Sequence, residues 1–394
     1  MAIEETQVLI VGAGPSGLIA AREASQRGVN VLVLEEHAEI GLPCHCAGLL
    51  SLDGLRKIGV PIDESYVQNM MRGAIFYSPS GLSFTVERDR PVACAVNRIL
   101  LDKFLARQAV KSGAVMKLGH TIRDISLRED EASVKSEKQK FKADIVIDAE
   151  GASSRIVKAA GLESLEQSFL LPGLQLDLIG VDVNPDYVEI YVGRRIAPGF
   201  FAWVIPLSED SARVGLGCKN ANAREILNRF IEKRFKEEKY EILSSRSGVI
   251  VTSGPIKRTF SNRLLIVGDA AGQTKPTTGG GVILGGICGA IAGRVAAEAV
   301  KRERFEERFL RLYEETWKKK FDREFKYMLW ARRIFNALSD RAIDKIFELI
   351  IKEELYKVMS RKGDMDFQSN ILSDLLRRRN LFKLLPSFLR LFHI

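Results

Sequence analysis

Cysteine and histidine are scarce in this chain of 394 residues, which contains five cysteines and four histidines. A low and odd number of cysteines argues against a scaffold held together by disulfides. No basic segment followed by an apolar run precedes the strand pattern that begins at Thr6, so we expect a cytoplasmic protein. Against this scarcity, Cys44, His45 and Cys46 are consecutive, which raises the question of a metal, redox or catalytic site.

A metal site is the least favoured of these interpretations. A zinc ion takes about four ligands in a protein. Cys44, His45 and Cys46 are too close together for regular ligation, and the sequence has no second cluster to complete the set. We therefore predict that no metal binds here and that the two thiols serve catalysis or redox chemistry.

Long apolar runs are also rare, and residues 279–300 form the longest, broken only by Arg294 and Glu298. By length alone this run is a candidate for a membrane-spanning helix. Glycines occupy six of its first eleven positions, however, which is typical of a helix that passes close to another group. We predict a buried helix whose small residues, through Ala292, let it pass close to a bound cofactor.

Positive charge is concentrated at the C-terminal end. Residues 301–394 contain 23 lysines and arginines against 15 acidic residues, a balance of +8 out of the net +9 of the chain. Such an excess indicates an anionic partner. No nucleic-acid recognition motif is present, so we predict no nucleic-acid partner. We expect instead an anionic lipid or membrane surface, contacted by the basic and apolar segment at 374–394. The alternative is that this segment forms a closing helix pair packed on the body, with its basic side in solvent.

The first glycine cluster predicts a dinucleotide site. "GAGPSG" follows the apolar strand "QVLIV", and a second strand ends at Glu35, which is well placed to bind both ribose hydroxyls. The helix that begins after the glycines offers free N–H groups to a pyrophosphate. Because the pattern continues through Ala21 and Gly28, it fits FAD better than NAD. The residues expected to bind this end of FAD are Gly12, Ala13, Gly14, Pro15, Ser16, Gly17, Glu35 and Glu36.

Two later segments resemble those of FAD enzymes of the aromatic hydroxylase type. "DIVIDAEGASSR" at 144–155 is similar to their strand and Ala-Asp-Gly turn, with glutamate in place of the aspartate, and "LLIVGDAAG" at 264–272 is similar to their strand that ends in an aspartate on the flavin ribityl chain. A helix start near residue 98 resembles the one that brings an arginine to the pyrophosphate. The resemblance adds, as cofactor residues, Arg98, Glu150, Gly151, Gly268, Asp269, Gly279, Gly280, Gly281 and Val282.

A second GxGxxG motif is absent. The sequence therefore predicts no dedicated NADPH-binding domain, and the reductant must visit transiently or be a protein. Ferredoxin, NADPH and a deazaflavin all stay open as the external electron donor.

Alternating strands between 173 and 217 predict an antiparallel sheet inserted in the FAD fold as a substrate domain. The predicted fold class is α/β: a Rossmann-type FAD-binding domain of the p-hydroxybenzoate-hydroxylase kind, an inserted antiparallel β-sheet and a C-terminal helical region. The predicted parts are FAD-binding at 1–165 with small inserted strands at about 66–95, the substrate sheet at 166–250, FAD-binding again at 251–300 and helices at 301–394.

"PGFFAWVIP" at 198–206 resembles the Pro-x-x-Tyr-x-Trp-x-Phe-Pro pattern of geranylgeranyl reductases, and also the Trp-x-Trp-x-Ile-Pro pattern of flavin-dependent halogenases. "PCHCAGLL" favours the first family, because it looks like the cysteine-containing loop that reaches the flavin in the archaeal enzymes. The resemblance implies flavin contacts from Cys46, Ala47 and Gly48. It implies substrate contacts from Phe201, Trp203, Ile205 and Pro206.

The resemblance implies an FAD-dependent reductase that saturates C=C bonds of geranylgeranyl chains in archaeal membrane lipids. A thiol beside the flavin would donate the proton, with Cys46 the first candidate and Cys44 the second; a reversible disulfide with Cys288 is a further hypothesis. The alternatives are a flavin monooxygenase or halogenase acting on a small aromatic substrate, and a flavoprotein that binds lipid without turnover. Lys57 is a poor candidate for a halogenase lysine.

Overall fold

The computed structural model describes residues 3–376, so most of the basic segment at 374–394 lies outside the described residues. The strands are β1 (Ile3–Val11), β2 (Val31–Leu34), β3 (Leu49–Ser51), β4 (Val67–Met71), β5 (Gly73–Tyr77), β6 (Ser83–Glu87), β7 (Ala93–Val96), β8 (Val115–Lys117), β9 (Ile122–Leu127), β10 (Ala132–Ser136), β11 (Lys140–Asp148), β12 (Leu170–Ile179), β13 (Tyr187–Val192), β14 (Phe201–Pro206), β15 (Ser211–Gly217), β16 (Glu241–Val251), β17 (Phe260–Ser261) and β18 (Leu264–Ile266).

The helices connect these strands and then continue alone toward the C-terminus. They are α1 (Pro15–Ser25), α2 (Leu52–Lys57), α3 (Arg98–Lys111), α4 (Arg155–Ala159), α5 (Ala223–Arg234), α6 (Val282–Arg302), α7 (Glu307–Ala337), α8 (Asp340–Lys352), α9 (Leu355–Lys362) and α10 (Ser369–Leu376).

A mainly parallel sheet forms the first layer, in the order β17-β18-β11-β1-β2-β8. β17 is antiparallel to β18, and β10 and β9 extend the same sheet from β11 as antiparallel strands. β1 lies between β11 and β2 and pairs in parallel with both, so its residues 8–11 are buried on both faces. Strands covered on both faces read as continuous apolar runs, which is why "QVLIV" and "VLVL" were recognisable from the sequence. Helices α1 and α6 pack on one face and a second apolar cluster covers the other.

Helix α6 approaches α1 unusually closely, and its glycines make this possible. A Cβ at Gly289 would lie 2.2 Å from the carbonyl oxygen of Ser16, and a Cβ at Gly293 would lie 2.3 Å from that of Ala20. Gly289 and Gly293 therefore serve contact between helices, and the role of the small residues through Ala292 in passing close to the cofactor stays a prediction. The prediction of a buried helix is confirmed. Helix α6 is long and apolar enough to cross a membrane, but 83% of its apolar 18-residue stretch is buried inside the protein.

The second layer is a sheet in the order β16-β12-β15-β14-β13-β5-β6, which contains the strands predicted between 173 and 217. Its pairs are antiparallel except for β13 with β5, which is parallel. Strands β5 and β6 come from the segment at about 66–95, so this sheet draws on two separate stretches of the chain. The four-part division of the chain stays a prediction.

Alternation along β14 gives this sheet two different faces. Ala202 and Val204 face α5, whereas Phe201, Trp203 and Ile205 face the loop that contains Cys46. Helix α5, which contains the pattern "EILNRFIEKR", covers the far face of the sheet. Helices α7 to α10 then pack against the first layer and the edge of the second.

Candidate active site

A cleft of about 310 Å³ opens at the carboxyl ends of β1 and β2. Crevices at this edge of a parallel sheet are the usual ligand sites of α/β folds. The predicted residues that line the cleft are Gly12, Ala13, Gly14, Glu35, Glu36, Cys44, Cys46, Arg98, Glu150 and Gly151.

The three motif glycines have different local reasons. Gly12 has a φ of +100°, and a Cβ there would lie 2.3 Å from the carbonyl oxygen of Ala149. A Cβ at Gly17 would lie 2.1 Å from the carbonyl oxygen of Gly12. A Cβ at Gly14, by contrast, meets nothing within 4 Å. Gly12 and Gly17 are thus required by the fold itself, while the space beside Gly14 is left for a ligand.

The two acidic residues of the cleft differ in how their carboxylates are used. Glu35 accepts from the backbone N–H of Ala13 at 2.8 Å and contacts Nδ1 of His37 at 2.6 Å, so it lies at the glycine turn as the motif requires. Glu150 accepts from the N–H of Ile156 at 2.6 Å and from the hydroxyl of Ser153 at 2.8 Å. The longer glutamate side chain therefore caps the following helix, and a direct contact with the cofactor stays a prediction.

The segments expected around the flavin lie close to one another. A Cβ at Gly281 would lie 2.7 Å from Oδ1 of Asp269, and one at Gly268 would lie 2.7 Å from Oγ of Ser16. Burial raises the pKa of Asp269, and the positive charge of Arg98 opposes that rise. Asp269, the glycine run before α6 and the start of α1 thus adjoin one another along one surface, and a contact of Asp269 with the flavin ribityl chain stays a prediction.

Arg98 connects this surface to the thiols. Its guanidinium donates to both oxygens of Asp102 at 3.0 Å. Burial alone would lower the pKa of Arg98, but Asp102 and the nearby thiols of Cys46 and Cys44 together raise it. The N-cap of α3 is Asn97, whose side chain accepts from the N–H of Ile99 at 3.1 Å. This cap fixes the start of α3 and therefore the position of Arg98, its first residue.

The cysteines of the candidate site are free thiols. Cys44 and Cys46 are partly exposed at the cleft, and the N–H of Gly48 lies 3.4 Å from the sulfur of Cys46. Cys288 is fully buried in the core between α6 and α7, where its charge would raise the pKa of Tyr313. The hypothesis of a disulfide with Cys288 has no support in this arrangement. Among residues 3–376, no group of acidic, histidine and cysteine side chains could hold a metal ion.

The predicted substrate strand packs against the cysteine loop. Phe201, Trp203 and Ile205 share an apolar cluster with Ala47 and Leu49. The rings of Phe201 and Trp203 meet edge to face, with centroids 5.9 Å apart. This wall is apolar and aromatic, and it contacts Ala47, the residue that follows Cys46.

Pro206, the last of the predicted substrate residues, ends β14 and is buried; its carbonyl accepts from the amide of Asn69 at 3.1 Å.

Several polar residues at the site were not predicted. Gln175 donates to the carbonyl of Cys46 at 3.0 Å, and Arg213 donates to the carbonyl of Ala47 at 2.8 Å. Lys275, just before the glycine run at 279–281, pairs with Asp366 at 2.8 Å. The available signal was a polar residue at a core-facing position of an otherwise apolar strand, as in "LQLDL" and "ARVGL".

These residues fit bound FAD. Helix α1 begins without a side-chain cap at Gly14 and with Pro15 in its first turn, so its N-terminal N–H groups remain for a pyrophosphate. Helix α6 also begins without a side-chain cap, at Gly281. The uncapped start of α1, with open space beside Gly14, would hold the pyrophosphate of a dinucleotide at a positive helix end.

Comparisons with known proteins agree with this geometry. Residues 5–287 match the sequence family described as FAD binding domain. The chain is 33% identical over 400 residues to digeranylgeranylglycerophospholipid reductase 2 of Methanopyrus kandleri, covering 96% of this chain and 98% of that protein. It is 35% identical to the reductase 2 of the same name from Methanothermobacter thermautotrophicus, covering 89% and 93%.

Solved structures extend the comparison to the fold. A geranylgeranyl bacteriochlorophyll reductase-like protein from Thermoplasma acidophilum superposes with a TM-score of 0.87 at 27% identity, covering 99% of this chain and 100% of that one. The myxobacterial chondrochloren halogenase, at 18% identity and a TM-score of 0.66 over 94% of this chain and 96% of that one, shares the fold alone. The chain belongs to the geranylgeranyl reductase family of FAD-binding flavoproteins.

Proposed function

We propose that the protein is an FAD-dependent reductase that saturates the C=C bonds of geranylgeranyl chains in archaeal membrane lipids. The observation that carries this proposal is the position of the Cys46 loop between the FAD cleft and the wall of Phe201 and Trp203. An isoprenoid chain needs a dry aromatic surface, and its reduction needs a proton donor at that surface. The relatives whose names specify digeranylgeranylglycerophospholipid reduction match almost the whole chain.

The division of labour follows from these residues. When bound and reduced, FAD supplies the hydride for one alkene carbon. Cys46 holds the proton for the adjacent carbon on its sulfur: the S–H bond breaks as the new C–H bond forms, and solvent returns a proton to the thiolate. The wall of Phe201 and Trp203 orients the alkene and excludes water from it. Arg98, beside the thiols, stabilises the thiolate left after transfer.

The electrons come from outside the chain. Because the sequence carries a single dinucleotide motif, we propose an external donor of the ferredoxin, NADPH or deazaflavin class. A geranylgeranyl phospholipid is embedded in a membrane, so we further propose peripheral contact at the cytoplasmic face. The basic excess of residues 301–394 suits an anionic lipid surface.

The proposal is tested by following the flavin absorbance of the dithionite-reduced holoenzyme under strictly anaerobic conditions. We expect digeranylgeranylglyceryl phosphate to reoxidise the flavin, and its fully saturated counterpart to leave the flavin reduced. An absence of reoxidation by the unsaturated lipid, with NADPH consumption that requires oxygen and an aromatic substrate, would instead favour a monooxygenase.

A further inference from the structure

Three consecutive residues of the cysteine loop are bonded to the substrate sheet. Nδ1 of His45 lies 2.5 Å from the carbonyl oxygen of Ser247, and the carbonyls of Cys46 and Ala47 accept from Gln175 and Arg213. The three partners lie on β16, β12 and β15, which are neighbours in that order in the sheet. The loop that carries the thiol is thus held across three adjacent strands of the substrate sheet.

Glycines bring the loop close enough to the sheet for these bonds. A Cβ at Gly248 would lie 2.7 Å from the Cβ of His45. Gly48 has a φ of +71°, and a Cβ there would lie 3.0 Å from Nη1 of Arg213 and 2.5 Å from the carbonyl oxygen of Val96. Larger residues at Gly48 or Gly248 would separate the loop from its partners.

Arg213 is itself held rigidly. Only 3% of its surface is exposed. Its Nε donates to Oδ1 of Asp177 at 2.8 Å, and Asp177 lies directly opposite it on the neighbouring strand. Arg246 pairs with the other oxygen of Asp177 at 3.0 Å, so this carboxylate has two cationic partners. A guanidinium fixed by a carboxylate holds its other N–H groups in fixed directions: Nη1 donates to the carbonyls of Ala47 at 2.8 Å and Val96 at 3.4 Å, and Nη2 donates to Oε1 of Gln68 at 3.4 Å.

Gln175 is equally buried, with 3% exposed, and its amide oxygen has no hydrogen-bond partner. A buried acceptor without a partner destabilises the fold, so the orientation of Gln175 that donates to Cys46 is maintained at a cost. Gln175 faces Gly215 across the strand pair, which leaves room for its side chain beside the ring of Trp203.

We propose that Arg213 and Gln175 are positioning residues for Cys46. Together they fix the peptide planes on the C-terminal side of this cysteine and hence the direction of its Cα–Cβ bond. The thiol therefore takes its position from the substrate sheet, although its loop leaves the cofactor domain. This inference rests on the proposed function for its catalytic consequence, but the geometry can be tested without turnover.

The first experiment measures alkylation of each thiol in the lipid-free holoenzyme by iodoacetamide, resolved by peptide mass. Arg213→Met removes the donor and leaves Asp177 paired with Arg246. Gln175→Met removes the other donor at similar volume. We expect each to change the ratio of Cys46 to Cys44 alkylation by about threefold or more, because a rotated thiol differs in access and in its distance from Arg98.

A matched control removes a similar arginine elsewhere. Arg263 is 8% exposed and donates to the carbonyls of Glu129 and Asp144, each at 2.8 Å, in the cofactor sheet. Arg263→Met should leave the alkylation ratio unchanged. Bound FAD and the melting temperature, measured for every variant, identify any that fail to fold, and Gln175→Met then carries the test alone.

The second experiment measures lipid reduction. Arg213→Met should lower kcat by about tenfold or more with a smaller change in KM, since a displaced proton donor affects the reaction more than binding. Arg213→Lys, which restores the charge but not the fork, should recover only part of that loss.

An unchanged alkylation ratio in both Arg213→Met and Gln175→Met, or an equal change in Arg263→Met, would overturn the positioning roles. If the two variants change the alkylation ratio as expected but the wild-type protein reduces no lipid, the positioning roles stand and the proposed function is contradicted.

Discussion

The ammonium of Lys275 lies 2.8 Å from the carboxylate of Asp366, and the pair is buried although 90 residues separate its members in sequence. Only 1% of Asp366 is exposed, and its second oxygen accepts from the hydroxyl of Ser51. Lys275 precedes the glycine run at 279–281, while Ser51 follows the loop that contains Cys44 and Cys46. The segment before α10 is thus joined to both loops of the candidate site.

Removing one partner of this pair should be costly. Burial alone would raise the pKa of Asp366, but Lys275 and the hydroxyl of Ser51 hold it below its ordinary value, so the carboxylate is charged at neutral pH. Lys275→Met leaves that charge buried and should cost about 3–5 kcal/mol in chemical denaturation. The double variant Lys275→Met/Asp366→Leu should recover much of this loss. As a control, Lys257→Met at the exposed pair with Glu163 should cause no measurable change.

If the double variant proved as unstable as Lys275→Met, the buried pair would contribute through something other than its charges. Acid should act in the same direction as the single variant. Because the folded-state pKa of Asp366 lies below the unfolded value, its stabilising contribution is present at neutral pH and is lost as the pH falls through the folded-state pKa.

Asp148 predicts the opposite dependence on pH. It is fully buried, its Oδ2 has no partner, and burial together with the nearby charge of Glu150 raises its pKa well above the ordinary 3.8. As the pH rises above 3.8, the unfolded chain releases this proton while the folded protein retains it, so the folded state is progressively destabilised. Asp148→Asn removes the penalty and should stabilise the protein by about 1 kcal/mol or more at neutral pH.

The measurement is the melting temperature of wild type and Asp148→Asn at several values between pH 5 and pH 8. The advantage of the variant should grow with pH, whereas the exposed Asp89→Asn should give a constant difference. An advantage that shrinks as the pH rises would mean that Asp148 is ionised in the folded protein.

Gly12 and Gly14 should separate folding from cofactor binding. Gly14 has a φ of −73° and open space at its Cβ position, so Gly14→Ala should cost the apoprotein at most about 1 kcal/mol. The new methyl group occupies the space left for the pyrophosphate, and FAD affinity should fall about tenfold or more. Gly12→Ala meets both a positive φ and the carbonyl of Ala149, and should destabilise the apoprotein by more than about 2 kcal/mol.

Apoprotein melting and FAD titration by fluorescence distinguish the two effects. Wild-type FAD affinity in Gly14→Ala would show that the cofactor does not approach this part of the glycine turn.

The sequence predicted the elements that depend on local chemistry. The glycine turn, Glu35 and the strand at 201–206 were recognisable because turn geometry and side-chain alternation are written in neighbouring residues. The contacts of Gly289 and Gly293 with α1 were not predicted, since only the packed structure shows which neighbour a small residue accommodates.

The bonds from Gln175 and Arg213 to the cysteine loop could not be predicted from one sequence. Gln175 lies 129 residues from Cys46, and Arg213 lies 166 residues from Ala47. No local pattern records a contact at such separation, which depends on how the inserted sheet lies against the cofactor domain. The same applies to Asp366, which reaches Lys275 only because α7 to α9 return the chain to the site.

The two thiols of the loop should differ in function. The carbonyl of Cys46 accepts from Gln175, and the next residue, Ala47, packs in the apolar cluster of Trp203. By contrast, no hydrogen bond to Cys44 is found within residues 3–376. Cys46→Ser should therefore lower kcat for alkene reduction by about a hundredfold, in the range lost when a general acid is removed. Cys44→Ser should retain most of the activity and serves as the matched control. Equal activity of both variants and wild type, with full FAD content, would exclude a thiol as the proton donor.

The decisive test of the proposed C=C reduction is the mass of the lipid after anaerobic incubation with the dithionite-reduced holoenzyme. Digeranylgeranylglyceryl phosphate should gain two hydrogens for each double bond reduced. A lipid whose mass is unchanged after incubation with FAD-replete, reduced protein would contradict the proposed reaction.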